Sequence, residues 1–187
     1  MKKIILVTGA ASSGKSEWAE SLAQNQGKQV IYIATGQKNE QDEDWMAKIA
    51  QHQQRRPRNW QNWEITRDLA SAITGITDDN CVLIDSLGTW VANHLDKSND
   101  LWYATVKELI TAINDTEADI IMVAEETGWG VVPAYPEGRW FRRRLGSVTR
   151  DIGQISHPVY LVVSGYAVDL TQVGVKLGGG RWLTPRF

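Results

Sequence analysis

Cysteine is almost missing from this 187-residue chain: Cys81 stands alone. That excludes an internal disulfide and a multi-cysteine metal site, and it fits a reducing compartment. No apolar run approaches the ~20 residues needed to cross a bilayer. The short apolar start passes straight into a glycine-rich segment rather than a cleavage site, so neither a membrane span nor a signal peptide is expected. Excess charge of one sign is missing too: 20 Lys+Arg against 22 Asp+Glu leave a net charge of -2, which argues against a broad nucleic-acid surface. The expectation is a cytoplasmic protein with no nucleic-acid partner. Against two phenylalanines stand nine tryptophans, whose rings serve either a core, an interface or a ligand.

The length suits one buried core, expected over 1–170, with 171–187 as a C-terminal extension. Five short runs rich in Ile, Val and Leu recur at Lys3 to Val7, Gln29 to Ile33, Cys81 to Ile84, Ile120 to Val123 and Val159 to Val163. They are continuous rather than alternating, as strands covered on both faces are, and longer segments separate them. The pattern predicts an α/β fold with a mostly parallel central sheet flanked by helices. Helices are expected over Lys15 to Asn25, Glu43 to Gln54, Arg67 to Thr74, Leu101 to Asn114 and Gly138 to Gly153. Gly75 to Asn80 reads as a turn. The glycine- and proline-punctuated stretch Gly128 to Gly138 reads as an active-site loop. After Gly165 no regular pattern persists.

The strongest local signal follows the first strand. Gly9, Ala10, Ala11, Ser12, Ser13, Gly14, Lys15 and Ser16 satisfy G-x-x-x-x-G-K-[ST] and open a helix, which is a P-loop nucleoside triphosphate hydrolase-like arrangement. Small residues let backbone amides curl around phosphate, Lys15 reaches the terminal phosphates, and Ser16 can ligate Mg2+. Such a site also needs an acid at the end of another strand. Asp85, ending CVLID, is the candidate for magnesium, with helix capping as its other reading. Glu126 follows IIMVAE, whose last residue is Glu125, in the same kind of position, and carboxyl ends of parallel strands are where open α/β sheets bind ligands. Of the histidines, His52 lies near Arg55, Arg56 and Arg58, where a neutral imidazole can attack phosphorus while the cations hold phosphate. The same surroundings describe a solvated helix histidine. His94 and His157 read as packing or capping residues. The FRRRL run at Phe141 to Leu145 has the charge to contact phosphate or another subunit, with a solvated helix face as its other reading.

Taken in order, these elements resemble the bifunctional adenosylcobinamide kinase / adenosylcobinamide-phosphate guanylyltransferase family. The shared elements are the phosphate loop, IAT at Ile33 to Thr35, H-x-x-x-R-P-x-x-W from His52 to Trp60, D-x-L-x-x-W-x-x-N from Asp85 to Asn93, and E-x-G-x-G-x-V-P from Glu126 to Pro133. The resemblance implies that ATP or GTP phosphorylates adenosylcobinamide, with Lys15, Ser16, magnesium and Asp85 organising the transfer. It implies a second step in which His52 takes GMP from GTP and passes it to adenosylcobinamide phosphate, giving adenosylcobinamide-GDP. It also implies a homotrimer. The pattern differs from the family's at Ser12, usually Arg; at Ser86, usually Cys; at Glu125, usually Asn; and at Arg143 and Thr149, usually Asp and Asn. Two other readings share the phosphate loop: a small-metabolite kinase without guanylyltransferase activity, and a non-enzymatic nucleotide-dependent module. Trp60, Trp90 and Trp129 are expected in the site wall.

Overall fold

The apolar runs become strands because their residues have two faces to bury. The structure is a computed structural model that describes residues 2–37, 41, 47 and 55–178. The strands are β1 (Ile4–Gly9), β2 (Gln29–Ala34), β3 (Gln61–Glu64), β4 (Asn80–Asp85), β5 (Asp119–Glu125), β6 (Val159–Val163) and β7 (Tyr166–Asp169). They form one sheet in the order β3-β2-β4-β5-β1-β6-β7, parallel throughout except for the β6–β7 pair. Helices among the described residues are α1 (Lys15–Gln24), α2 (Leu69–Ile73), α3 (Leu87–Ala92), α4 (Asn99–Asp115), α5 (Pro136–Ile155) and α6 (Leu170–Val173). The helix expected over Glu43 to Gln54 falls almost wholly outside the described residues.

Successive strand residues alternate between two clusters, as the pleat requires. Ile5, Val7, Val30, Tyr32, Leu83, Ile121 and Val123 pack with Ala19 and Ala23 of α1. Leu6, Ile31, Ile33, Ile84, Ile120 and Met122 face the other way, toward residues of α2 to α5. A fully buried Ile or Leu contributes roughly 1.5–3 kcal/mol, so both faces stabilise the sheet.

Two strands lie outside the expected set, both at sheet edges. β3 reads QNWE and is largely exposed. β7 belongs to the segment expected to carry no regular structure: Ser164 (φ 50°) and Gly165 (φ 80°) form a two-residue turn that sets Val163 opposite Tyr166. Two positive φ values in succession are what a tight hairpin needs. Trp90 also departs from expectation. It is 1 % exposed, inside the core, and its indole N–H donates to Arg67 O at 2.8 Å. Trp60 is likewise buried, in the α1-side cluster.

Candidate active site

Parallel pairing puts the ends of β1, β2, β4 and β5 on one edge of the sheet, with Gly9 level with Glu125 and Ala34 level with Asp85. The phosphate-loop residues lie there. Gly9 has no alternative at its position, because a Cβ would stand 2.5 Å from Val162 O. Ser12 (φ 57°) and Gly14 (φ 89°) are left-handed, the backbone state that occurs in anion-binding nests. Gly14 caps α1 without a side-chain hydrogen bond, so the first-turn amides keep their donors for a ligand. Lys15 is 9 % exposed, and its Nζ donates to Ala10 O at 3.2 Å. Ser13 Oγ is buried with no protein partner. This is a cradle of donors suited to phosphate oxygens.

Two acids lie at these strand ends, Glu126 beside the loop and Asp85 at the end of β4, with β5 between β4 and β1. Glu126 is held to β1 twice, its N–H donating to Gly9 O at 2.9 Å and its Oε1 accepting from Thr8 Oγ1 at 3.1 Å. Asp85 Oδ2 accepts from Tyr32 OH at 3.1 Å. Burial, and then the Asp85 charge, push the Tyr32 phenol well above its ordinary pKa, so it stays a donor. Asp85 is not the cap of α3: Ser86 is, in a reciprocal capping box with Thr89. A hard carboxylate from Asp85 and a hydroxyl from Ser16 are the donor types that magnesium accepts alongside phosphate oxygens. No cluster of three or more His, Cys, Asp or Glu suited to a metal occurs among the described residues, and a magnesium ion carried by nucleotide needs none.

The IAT and D-x-L-x-x-W-x-x-N elements prove to be the support of Asp85. Thr35 is fully buried, donates to Ser86 O at 2.6 Å and accepts from Ser86 N–H at 2.9 Å. Asn93 Nδ2 donates to Thr35 O and Thr66 O at 2.8 and 2.9 Å. The Thr35 hydroxyl thus holds both backbone groups of Ser86, the residue after Asp85, and Asn93 holds Thr35.

Glu125 acts on the same helix start. It accepts from Ser86 Oγ at 2.5 Å and from Gly88 N–H at 2.9 Å. A Cβ at Gly88 would lie 2.0 Å from Glu125 Oε2. Ser86 and Glu125 are two of the positions that differ from the family pattern, and they touch. Glu125→Ala therefore leaves a hydroxyl and an amide without their acceptor, and unfolding in urea should show a loss of roughly 1–3 kcal/mol. Ser86→Ala should add less in that background than in the native chain; full additivity would sever the link.

Other expected residues are accounted for as follows. His52 lies outside the described residues. Arg55 and Arg56, expected to hold phosphate, are turned to α1: Arg55 Nη1 lies 2.7 Å from Glu17 Oε1, and the Nε atoms of Arg55 and Arg56 lie 3.6 and 3.9 Å from Glu20. His94 is buried against Trp90 and Trp102, which lowers its pKa through burial. His157 is exposed. The Cys81 thiol is buried, and burial pushes it up to about 12, so it is no nucleophile. Trp129 is the one residue of the expected site wall that is open, 70 % exposed in the punctuated loop. Arg142 anchors that loop by donating to Gly128 O, while its Nη1 and Thr149 Oγ1 are buried without partners. Sequence reasoning missed Thr8 and Tyr32 and carried Thr35 only as a member of the IAT element, with no role; the one signal for Tyr32 was the single aromatic in the otherwise aliphatic run of β2.

The chain is 36% identical to the bifunctional adenosylcobalamin biosynthesis protein CobU of Escherichia coli (strain K12), over 89% of this chain and 99% of the relative. It is 35% identical to the protein of the same name from Salmonella typhimurium, with the same coverage. It is 33% identical to the bifunctional adenosylcobalamin biosynthesis protein CobP of Pseudomonas aeruginosa, over 88% and 95%. The model of one family matches residues 5–170, from β1 through β7, and by that match the chain belongs to the cobinamide kinase / cobinamide phosphate guanyltransferase family.

Proposed function

We propose that the chain performs two successive transfers on adenosylcobinamide. ATP or GTP first phosphorylates the aminopropanol hydroxyl; GMP from GTP is then transferred, through a guanylyl-histidine at His52, to give adenosylcobinamide-GDP. The observation that supports this best is the phosphate cradle. An uncapped α1 start at Lys15, preceded by left-handed Ser12 and Gly14, has Glu126 tied to the same Gly9 that opens the loop.

In the first transfer the amides of the Gly9–Ser16 loop hold the β- and γ-phosphates, and Lys15 balances charge on the oxygens as the γ-phosphorus parts from ADP or GDP. The substrate oxygen bonds to that phosphorus, and Glu126 is the carboxylate that takes its proton. Ser16 and Asp85 would hold magnesium, which supplies charge neutralisation between the phosphates. In the second transfer a His52 ring nitrogen bonds to the α-phosphorus of GTP and pyrophosphate leaves. A phosphate oxygen of adenosylcobinamide phosphate then displaces the histidine. The loop after Glu126 offers Trp129, Val131 and Tyr135 to solvent, an apolar surface for the corrin ring. The setting is the cytoplasm, which the lone cysteine fits, and the working assembly a homotrimer, as the resemblance implies; among the described residues no helix is long and apolar enough to cross a membrane.

A two-stage assay with adenosylcobinamide, ATP or GTP and Mg2+ tests the reading by identifying products. Adenosylcobinamide phosphate should form first and adenosylcobinamide-GDP only when GTP is present. Nucleotide hydrolysis without either corrinoid product would overturn it.

A further inference from the structure

Tyr32 joins three parts of the chain that are distant in sequence. It lies on β2, 3 % exposed, in the cluster beneath α1. Its hydroxyl reaches forward to Asp85 Oδ2 at 3.1 Å. Over its ring lies Arg56, with the guanidinium carbon 3.3 Å from the ring centroid. Arg56 is fixed in turn, its Nη1 donating to Asn62 Oδ1 at 3.2 Å and its Nε 3.9 Å from Glu20 Oε1 on the phosphate-loop helix. Only 8 % of the Arg56 side chain is exposed.

A carboxylate at a strand end can rotate unless one oxygen is held. The Tyr32 hydroxyl engages Oδ2, which leaves Oδ1 to face elsewhere. The phenol holds that bond only while its ring stays in place, with core residues on one side and a cation on the other. Arg56 is the arginine of the H-x-x-x-R-P-x-x-W element, so the same element that supplies His52 also braces the ring.

We infer that Tyr32 is a positioning residue for Asp85, braced by Arg56, and that it sets the carboxylate which meets the nucleotide's magnesium. The inference rests on the reading of Asp85 as a magnesium-side ligand. Tyr32→Phe removes only the hydroxyl and keeps the ring under Arg56.

The test measures affinity for a fluorescent ATP analogue with EDTA and with saturating Mg2+, together with the Mg2+ dependence of adenosylcobinamide phosphorylation. Tyr32→Phe should leave the EDTA affinity within about twofold while cutting the magnesium-dependent tightening roughly tenfold, the usual effect of a hydrogen bond to a charged group. The half-saturating Mg2+ should rise by a similar factor with kcat at saturating Mg2+ little changed. Arg56→Gln should act in the same direction, Arg56→Lys should restore part of the loss, and Arg56→Gln should add little in the Tyr32→Phe background.

A role in packing alone predicts equal losses with and without magnesium, and that result overturns the inference. Asp85→Asn separates the two levels. If Asp85→Asn loses the magnesium effect and Tyr32→Phe does not, the positioning role fails while the ligand role stands. If Asp85→Asn keeps the magnesium effect, the ligand reading fails and the inference with it.

Discussion

Lys15→Ala should lower phosphoryl transfer to adenosylcobinamide by about 10³-fold, the scale of removing one preorganised charge-stabilising donor from a transfer site. The side chain is nearly buried and lies along the loop, its ammonium at Ala10 O, so it needs little rearrangement to meet phosphate. Its contribution grows as charge spreads over the oxygens of the departing phosphoryl group. The loss should therefore fall mainly on kcat, with a smaller change in nucleotide affinity. Lys15→Arg should rescue poorly, because a planar guanidinium does not fit where a compact ammonium stands. Steady-state kinetics with product identification checks this, alongside a melting curve to establish that the fold persists. Turnover within tenfold of the native chain would remove Lys15 from the mechanism.

His52→Ala should abolish the second transfer while sparing the first. With α-labelled GTP the native chain should retain a label that is labile in acid and stable in base, as a phosphorus–nitrogen bond is. The variant should retain none. Loss of a covalent nucleophile costs on the order of 10⁴-fold or more, whereas ATP-dependent phosphorylation should stay within about threefold because the phosphate loop is untouched. A label that survives the substitution would locate the nucleotide on another residue. Equal loss of both steps would mean that His52 serves a site shared by the two.

The sequence points to these two candidates on different grounds. Lys15 belongs to a local device: strand, loop and helix are consecutive, and the spacing itself encodes the cradle. His52 was legible only through the resemblance, since its own surroundings describe a solvated histidine equally well. The functions of Arg55 and Arg56 were not legible. As neighbours of His52 they suggested phosphate binding, yet they pair with Glu17 and Glu20 of α1, partners more than thirty positions away. Trp90 shows the same gap: its place within a family element suggested the site wall, whereas it fills the core beside His94 and Trp102.

The sequence by itself determined the sheet's interior strands, the phosphate loop and the acids at the strand ends. Each of these is written in consecutive residues, as an apolar run buried on two faces or a fixed spacing of small residues before a helix. It did not announce β3 and β7, because edge strands are solvated and need no apolar run. Only the tertiary structure decided what surrounds Asp85. Tyr32 from β2, Thr35 behind Ser86, and the contact between Ser86 and Glu125 arise from the order β2-β4-β5 in the sheet. Neighbours across a parallel sheet are set by crossover connections, and side chains separated by fifty residues carry no mark of one another until those connections are made.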